Sequence, residues 1–125
     1  MKKTIIASDK LPLFGPYSAA VETGGFIFIS GQIALDPKSG EVVTDIKSAT
    51  RHILNNIQTI LEEAGLKLSS IVKTTIYLKN INDFAAVNEI YAGFFPEEPP
   101  ARSTVEVSSL PKNVPIEIEA IAARI

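Results

Sequence analysis

Hydrophobic residues recur along this chain with two periods, one typical of strands and one typical of helices. Alternating or continuous apolar runs predict short strands over about residues 3–7, 17–22, 26–30, 71–79, 102–107 and 116–124. Stripes with helical spacing predict two helices, one from Asp45 to about Ala64 and one from about Asp83 to Phe94. The predicted order is βββ, α, β, α, ββ, which is an α+β fold with about six strands and two helices.

Residues with special backbone preferences mark the ends of several elements. Gly24-Gly25 lies between two strand-like runs and predicts a hairpin. Thr44 or Asp45 can cap the start of the first helix, because a short polar side chain can accept a hydrogen bond from the first turn. Gly65 stands where a helix C-terminus favours a left-handed glycine.

Alternation also predicts which side chains share a face in the last two strands. It places Arg102 and Thr104 on one face and Val105 and Val107 on the other. We expect the valines to face the helices, and Arg102 and Thr104 to face away from them. In the last strand the same reasoning turns Glu117 away from the helices.

Two helices of this length can cover only one face of a six-stranded sheet. The run FIFIS at residues 26–30 is apolar on both of its faces, which is typical of a strand that is covered on both sides. We therefore expect an oligomer in which sheets pack against each other. The alternative is a monomer in which loops 8–16 and 35–43 fold over the open face.

Composition narrows the function classes. A chain of 125 residues suits one domain over residues 1–125. A net charge of −2 with dispersed lysines and arginines disfavours a nucleic-acid-binding surface. With no cysteine and one histidine, thiolate chemistry is excluded and no metal site is expected. No stretch resembles a signal peptide or a membrane span, so we expect a soluble, cytoplasmic protein.

Two charged residues beside the expected seam between sheets are the first candidates for chemistry. An arginine there is suited to binding a carboxylate, because its planar guanidinium donates two parallel hydrogen bonds. Arg102 could bind the carboxylate of a ligand in this way, with Glu117 as a second polar group near the same seam. Alternatively, they could simply pair with each other or with residues of a partner subunit.

Other polar residues have both a structural and a functional interpretation. Ser30 and Gly31 end an apolar strand, where a glycine lets a ligand approach the backbone, although a strand-ending turn is the simpler explanation. Tyr17 could be a core ring or the wall of a pocket. A structural role is favoured for Asn88, and His52 is expected at the surface of the first helix. Residue patterns alone thus indicate a small α+β oligomer with a candidate anion site.

Several separated motifs resemble one known family. They are GPYSAAV, FISGQIALDPKSGEVV, EEAGLKLSSIVKTTIYLKNINDFAAVNEIYAGFF and PARSTVEVSSLPKNVPIEIEAIAAR, in this order from about residue 3 to the C-terminus. In these motifs the chain resembles the RidA/YjgF family of reactive-intermediate deaminases, also described as L-PSP endoribonuclease-like or translation-inhibitor proteins. The resemblance implies a chorismate-mutase-like fold, with a six-stranded mixed sheet and two helices on one face. It also implies a homotrimer with a central sheet barrel and clefts between subunits.

The resemblance further implies an activity and the residues that perform it. Members act as 2-iminobutanoate/2-iminopropanoate deaminases, which hydrolyse enamine and imine intermediates such as 2-aminoacrylate and 2-aminocrotonate to 2-keto acids and ammonium, without a cofactor. By motif, Arg102 binds the substrate carboxylate and Glu117 handles the attacking water. The residues expected to line the cleft are Tyr17, Ser30, Gly31, Asn88, Arg102 and Thr104. Many members have cysteine at the position of Thr104, but the deaminase mechanism needs no thiol.

Two other functions stay open at this point. A non-catalytic regulator that binds keto acids or amino acids in the same clefts would need Arg102 but not Glu117. RNA cleavage, the older description of the family, is disfavoured by a sequence pI of about 5.4 and by the absence of a basic patch.

Overall fold

Six strands and two helices form in the predicted order in a computed structural model that describes residues 2–125. The strands are β1 (Thr4–Ile6), β2 (Ala20–Thr23), β3 (Phe26–Gln32), β4 (Ile71–Leu78), β5 (Ala101–Glu106) and β6 (Ile116–Ala123). The helices are α1 (Ile46–Glu63) and α2 (Phe84–Phe94), with short 3-10 turns at Leu68–Ser70, Ile81–Asp83 and Pro111–Asn113. The predicted α+β class and order are confirmed. Neither helix is long and apolar enough to cross a membrane.

The strands form one mixed sheet in the spatial order β1-β2-β3-β6-β4-β5. Neighbouring strands are antiparallel except β4 and β5, which are parallel. A parallel pair needs a crossover connection, and α2 provides it between β4 and β5. β5 lies at one edge of the sheet, beside only β4.

Local signals at the element ends behave as the sequence predicts. The Asp45 carboxylate accepts a hydrogen bond from the Ser48 amide at 2.9 Å and caps α1. Gly65 follows the helix with φ of 72° and donates its amide to the Glu62 carbonyl at 3.0 Å. The hairpin between β2 and β3 is also confirmed.

The core lies between the two helices and one face of the sheet. On α1, the predicted stripe is buried except at its ends, where Ile46 and Ala64 are partly buried, and Ile53, Ile57 and Leu61 have no exposed surface. Alternate residues of β3, β4 and β6 point into the same core: Ile27, Ile29, Ile76, Leu78, Ile116 and Ile118. The sheet face that carries these residues is therefore the helix face.

The other sheet face, here called the open face, is not covered by any part of residues 2–125. Phe26 and Phe28 point to it from β3 and are 46% and 45% exposed. The apolar character of both faces of FIFIS is thus confirmed, but neither loop 8–16 nor loop 35–43 buries the second face. The open face is continued by Glu117, which lies opposite Tyr77 in the β4–β6 pairing.

The predicted orientation of β5 is wrong. Arg102 lies in register with Thr74, and Thr104 with Ile76, and both of these β4 residues are fully buried on the helix face. Arg102 and Thr104 therefore point toward the helices, whereas Val105 points to the open face and is 43% exposed.

The apolar side of β5 is not its core side. At this edge of the sheet, α2 presents aromatic rings, and Arg102 packs its guanidinium over them in place of an aliphatic side chain. Val105 is left to contribute to the apolar surface of the open face. Val107, also expected to face the helices, lies just beyond the end of β5, where its amide bonds the Leu78 carbonyl at 2.9 Å.

Candidate active site

Arg102 lies at the start of the edge strand β5, against α2. Its guanidinium carbon is 4.9 Å from the centre of the Tyr91 ring and 5.4 Å from the centre of the Phe84 ring. Among residues 2–125, no carboxylate lies within ion-pair distance of it. The predicted alternative in which Arg102 pairs with Glu117 is therefore wrong within one chain. The rings stabilise the cation through their faces, which leaves its N–H groups for a ligand.

The Arg102 side chain borders a groove between α2 and the segment that leads into β5. Asn88 and Tyr91 of α2, together with Pro99 and Pro100, line this groove. Asn88 and Arg102 thus line the same groove, and their contact with a ligand there stays a prediction. The Tyr91 hydroxyl is hydrogen-bonded to the buried Thr74 hydroxyl at 2.8 Å, which holds the ring beneath the guanidinium. We call this arrangement the Arg102 half-site.

Thr104 occupies the same face of β5 two residues further along. Its hydroxyl oxygen is buried and has no hydrogen-bond partner in the described part of the chain. An unpaired buried hydroxyl costs about 1–3 kcal/mol. Thr104 does not line the groove beside Arg102, so its role in ligand binding stays a prediction.

Glu117 lies on the open face of β6 and packs directly over Gly31 of β3. A Cβ atom at position 31 would overlap the Glu117 carboxylate and would lie 2.8 Å from its Cδ. Only a glycine leaves room for the carboxylate at this place. The sequence suggested that Gly31 lets a ligand approach the backbone closely. In the structure, the Glu117 carboxyl group occupies this space.

The pairing of β3 with β6 is irregular at this point. Ile29 pairs with Ala120 and Gln32 with Ile118, so three steps along β3 match two along β6. The extra residue is a β-bulge at Ser30 and Gly31, a feature that is common beside active sites. The bulge turns the end of β3 and brings its backbone under the Glu117 side chain.

The environment of Glu117 favours its protonated form. Partial burial raises the pKa of the Glu117 carboxyl, and the negative charge of Glu119 on the same strand raises it further. Glu119 itself accepts a hydrogen bond from the Tyr77 hydroxyl. A carboxyl whose pKa lies closer to neutrality can both accept and donate a proton, as general acid–base catalysis requires.

Ser30 and Tyr17 complete the second group. The Ser30 hydroxyl donates to the Ser18 carbonyl at 2.6 Å, and its amide donates to the Ala19 carbonyl at 3.0 Å. Its side chain therefore ties β3 to the loop that carries Tyr17, which is a structural role. The Tyr17 ring is 44% exposed, so it is not a core ring, and it lines a cavity together with Gly31. We call Tyr17, Ser30, Gly31 and Glu117 the Glu117 half-site.

One chain does not bring its two half-sites to the same ligand. Arg102 is on the helix face of β5, whereas Glu117 is on the open face of β6, and β4 lies between the two strands. Adjacent strands are about 4.8 Å apart, so the two backbones are separated by about 10 Å before the opposite directions of the side chains are considered. The predicted site residues thus form two groups rather than one.

Sequence reasoning missed three side chains that shape these half-sites. The helical stripe of α2 includes both Phe84 and Tyr91. Tyr91 is indeed buried in the core and Phe84 is 40% exposed, but the faces of both rings also carry the Arg102 guanidinium. Glu119 shares a strand face with Glu117 and influences its pKa. The Glu-x-Glu alternation was a usable signal for Glu119, whereas the contacts of Arg102 depend on the placement of α2.

Comparison with known proteins agrees with the motifs. The family model described as Endoribonuclease L-PSP matches residues 8–124. A RutC family protein of Pyrococcus horikoshii is 55% identical over 98% of both chains, and the 2-iminobutanoate/2-iminopropanoate deaminase of Escherichia coli K12 is 50% identical over 99% of both. The crystal structure of the YjgF gene product from E. coli superposes with a TM-score of 0.90 at 50% identity, covering 98% of this chain and 99% of that one. With its fold and motifs in agreement, the chain belongs to the L-PSP endoribonuclease family, the RidA/YjgF family that its sequence resembles.

Proposed function

We propose that this protein is an imine deaminase that hydrolyses 2-iminopropanoate and 2-iminobutanoate, formed from 2-aminoacrylate and 2-aminocrotonate, to 2-keto acids and ammonium. The observation that carries the proposal is Arg102, which is held over two aromatic rings without a carboxylate partner in the described chain. Its free fork matches the carboxylate that every 2-imino acid carries. The deaminase name of a relative that is 50% identical supports this substrate class.

We further propose that the working site forms between subunits of a homotrimer. The two half-sites lie on different faces of one sheet, so a second subunit is needed to bring a Glu117 half-site to an Arg102 half-site. The half-exposed rings of Phe26 and Phe28 supply an apolar surface for such an assembly. Three copies related by a threefold axis would contain three equivalent clefts.

Arg102 is assigned to binding and orienting the substrate. Two parallel N–H···O bonds from its guanidinium to the carboxylate fix the plane of the imino acid. The rings of Tyr91 and Phe84 restrict the guanidinium, so less conformational freedom is lost when the substrate binds. The Gly31 backbone and the Tyr17 ring of the other subunit then contact the remaining part of the substrate.

Glu117 is assigned to proton transfer. Water attacks C2 of the imine, whose nitrogen carries the added proton; the C=N double bond becomes a single bond, and Glu117 accepts one proton from the water. Glu117 returns this proton to the nitrogen, and the C–N bond breaks with its electron pair leaving on ammonia. The hydroxyl proton that is lost as the C=O bond forms passes through Glu117 to the ammonia, which leaves as ammonium. The net change is imine plus water plus one proton to 2-keto acid plus ammonium. The raised pKa of Glu117 suits it to both steps.

The decisive assay generates 2-aminoacrylate or 2-aminocrotonate with a pyridoxal-phosphate-dependent dehydratase and follows the release of keto acid. Wild type is expected to accelerate release over buffer. Arg102→Lys keeps the positive charge but lacks the planar guanidinium that donates two parallel hydrogen bonds. We expect it to lower kcat/KM by about 30-fold or more, as the loss of one partner of a buried, hydrogen-bonded charge pair does. Arg102→Ala should lose more.

Two outcomes would refute parts of this assignment. Full turnover by Glu117→Gln would remove the acid–base role from this residue. Binding of keto acids by the wild type without any acceleration would favour a metabolite-binding regulator. Size-exclusion chromatography with mass determination tests the trimer, and a monomeric mass would sink the composite site.

A further inference from the structure

Two carboxyl groups lie next to each other on the open face of β6. Glu117 and Glu119 are separated by one residue, so both side chains point to the same face of the sheet, where alternate residues are about 7 Å apart. Both residues are partly buried. The proposed mechanism gives Glu117 the proton transfers and assigns no role to Glu119.

The neighbouring strand β4 holds Glu119 in place. The Tyr77 hydroxyl donates a hydrogen bond to the Glu119 carboxylate. In the sheet, however, Tyr77 lies opposite Glu117. The Tyr77 side chain therefore crosses diagonally from one carboxyl position to the other, a distance that an aromatic side chain can span. Glu119 can turn away from Glu117 only by breaking this bond.

The Tyr77 hydroxyl keeps its proton near neutral pH. The hydrogen bond to Glu119 raises the pKa of the Tyr77 phenol above its ordinary value of about 10, and burial and the negative charges of Glu119 and Glu117 raise it further. The phenol is therefore a constant hydrogen-bond donor to Glu119.

Of the two strands that flank β6, β4 contributes a cation near this pair and β3 contributes none. The β3 residue under Glu117 is Gly31, and β3 has no titratable side chain. On β4, the Lys73 ammonium donates to the Thr75 hydroxyl at 3.0 Å. Among residues 2–125, no cation lies within ion-pair distance of either glutamate of the pair. The negative charge of Glu119 thus acts on Glu117 without a paired cation.

We infer that Tyr77 and Glu119 are positioning residues of the proposed deaminase: Tyr77 fixes the Glu119 carboxylate beside Glu117, and the negative charge of Glu119 sets the pH range over which Glu117 transfers protons. This inference rests on the proposed deaminase function. A negative charge held nearby makes Glu117 a stronger base toward the attacking water, because loss of its proton places a second negative charge close to the first. The proposed trimer would cover the open face, and exclusion of water would strengthen this effect.

The test removes the charge and the hydrogen bond separately. Glu119→Gln removes the negative charge but keeps the shape and an oxygen that can accept from Tyr77. Tyr77→Phe keeps the charge and removes the bond. Glu62→Gln is the matched control, because it removes the same charge from an exposed position on α1. Thermal unfolding and native mass show whether each variant keeps its fold and assembly.

The first readout is the titration of Glu117 without substrate. In protein labelled with carbon-13 at the glutamate carboxyl groups, NMR follows the Glu117 signal, which is assigned by its loss in Glu117→Gln. We expect its titration midpoint to move to lower pH in Glu119→Gln, and in the same direction but less far in Tyr77→Phe. Glu62→Gln should leave the midpoint unchanged. An unchanged midpoint in folded Glu119→Gln would overturn the inference, and a midpoint unchanged only in Tyr77→Phe would remove Tyr77 from it.

The second readout is the pH profile of imine hydrolysis. An L-amino-acid oxidase supplies the imine of alanine, whose own titration is the same for every variant. Glu117 must be unprotonated to accept a proton from water, so activity falls on the acidic side of its pKa, and in Glu119→Gln this fall should move to lower pH. Because Glu117 is then a weaker base, kcat/KM at the optimum should drop by about 3- to 10-fold. A lower activity without movement of the profile would mean that the pair is merely structural.

Failure of this inference can be told apart from failure of the proposed function. If the wild type hydrolyses no imine, the deaminase function is wrong and the pair has no reaction to serve. If the wild type hydrolyses imines but neither the Glu117 midpoint nor the pH profile moves in Glu119→Gln, the deaminase function stands and the inference is refuted.

Discussion

Replacement of Gly31 by alanine tests whether the position of Glu117 matters for catalysis. The new Cβ would lie 2.8 Å from Glu117 Cδ and 3.1 Å from its Cγ. Ordinary carbon contacts begin near 3.4 Å, so the carboxyl group must move by at least about 0.6 Å, and further where the Cβ overlaps its oxygen. A misplacement of about 1 Å can cost about 100-fold in rate. We therefore expect Gly31→Ala to lower kcat by about 10- to 100-fold.

The same substitution should leave the fold nearly unchanged. The φ of Gly31 is not positive, so alanine meets no backbone strain there, and Glu117 is a flexible side chain that can move aside. The free energy of unfolding is expected to change by less than about 1 kcal/mol, because alanine also reduces the freedom of the unfolded chain.

Gly93→Ala is the matched control. A Cβ at Gly93 of α2 would meet no atom within 4 Å, and alanine in place of glycine inside a helix stabilises by up to about 1 kcal/mol. Keto-acid release and urea unfolding are measured for both variants. Full activity of Gly31→Ala would contradict the view that Glu117 acts from its place over Gly31.

Three further predictions follow from individual contacts. Thr104→Val removes a buried hydroxyl that has no partner in the described chain, so the free energy of unfolding in urea should rise by about 1 kcal/mol; a decrease would mean that the hydroxyl is bonded in the working assembly. Folding raises the pKa of the Glu117 carboxyl. The protonated carboxyl therefore stabilises the folded state below the unfolded pKa of about 4.3, and this stabilisation is lost as the pH rises through the pKa of the folded state. The stability advantage of Glu117→Gln over wild type should therefore grow from pH 4 to pH 7, and an advantage that is constant with pH would argue against the shift. Arg124→Ala removes bonds to the Glu22 carboxylate at 2.7 and 2.9 Å and to the Ala64 carbonyl at 2.9 Å. It should lower the urea midpoint of unfolding, by less in high salt, and an unchanged midpoint at both salt concentrations would count against the contact.

The orientation of β5 shows where pattern reasoning has its limit. Alternation correctly separates Arg102 and Thr104 from Val105, because successive side chains of a strand always point to opposite faces. It does not say which of the two sets meets the helices. That was decided by the aromatic rings of α2, which accept a guanidinium, and Val105 is left 43% exposed on the open face.

The Glu117 half-site shows that sequence patterns also do not reveal which residues far apart in the chain lie close together in the sheet. Ser30 and Gly31 could be identified as a place of close approach, but the prediction that they end the strand is wrong, because β3 continues through them to Gln32. Their relation to Glu117, 86 positions away, depends on the pairing of β3 with β6 and on the bulge between Ile29 and Gln32. Long-range register of this kind is set by the whole sheet and leaves no local signal.

The amino-acid sequence by itself determined the order of the elements, the cap at Asp45, the helix end at Gly65 and the hairpin between β2 and β3. These features depend on neighbours within a few residues, where backbone preferences and hydrophobic period act directly. The tertiary structure alone decided that Arg102 rests on α2, that Glu117 lies over Gly31, and that the two belong to different half-sites. The physical reason is that packing between distant elements fixes which face of a strand is covered and which side chains meet.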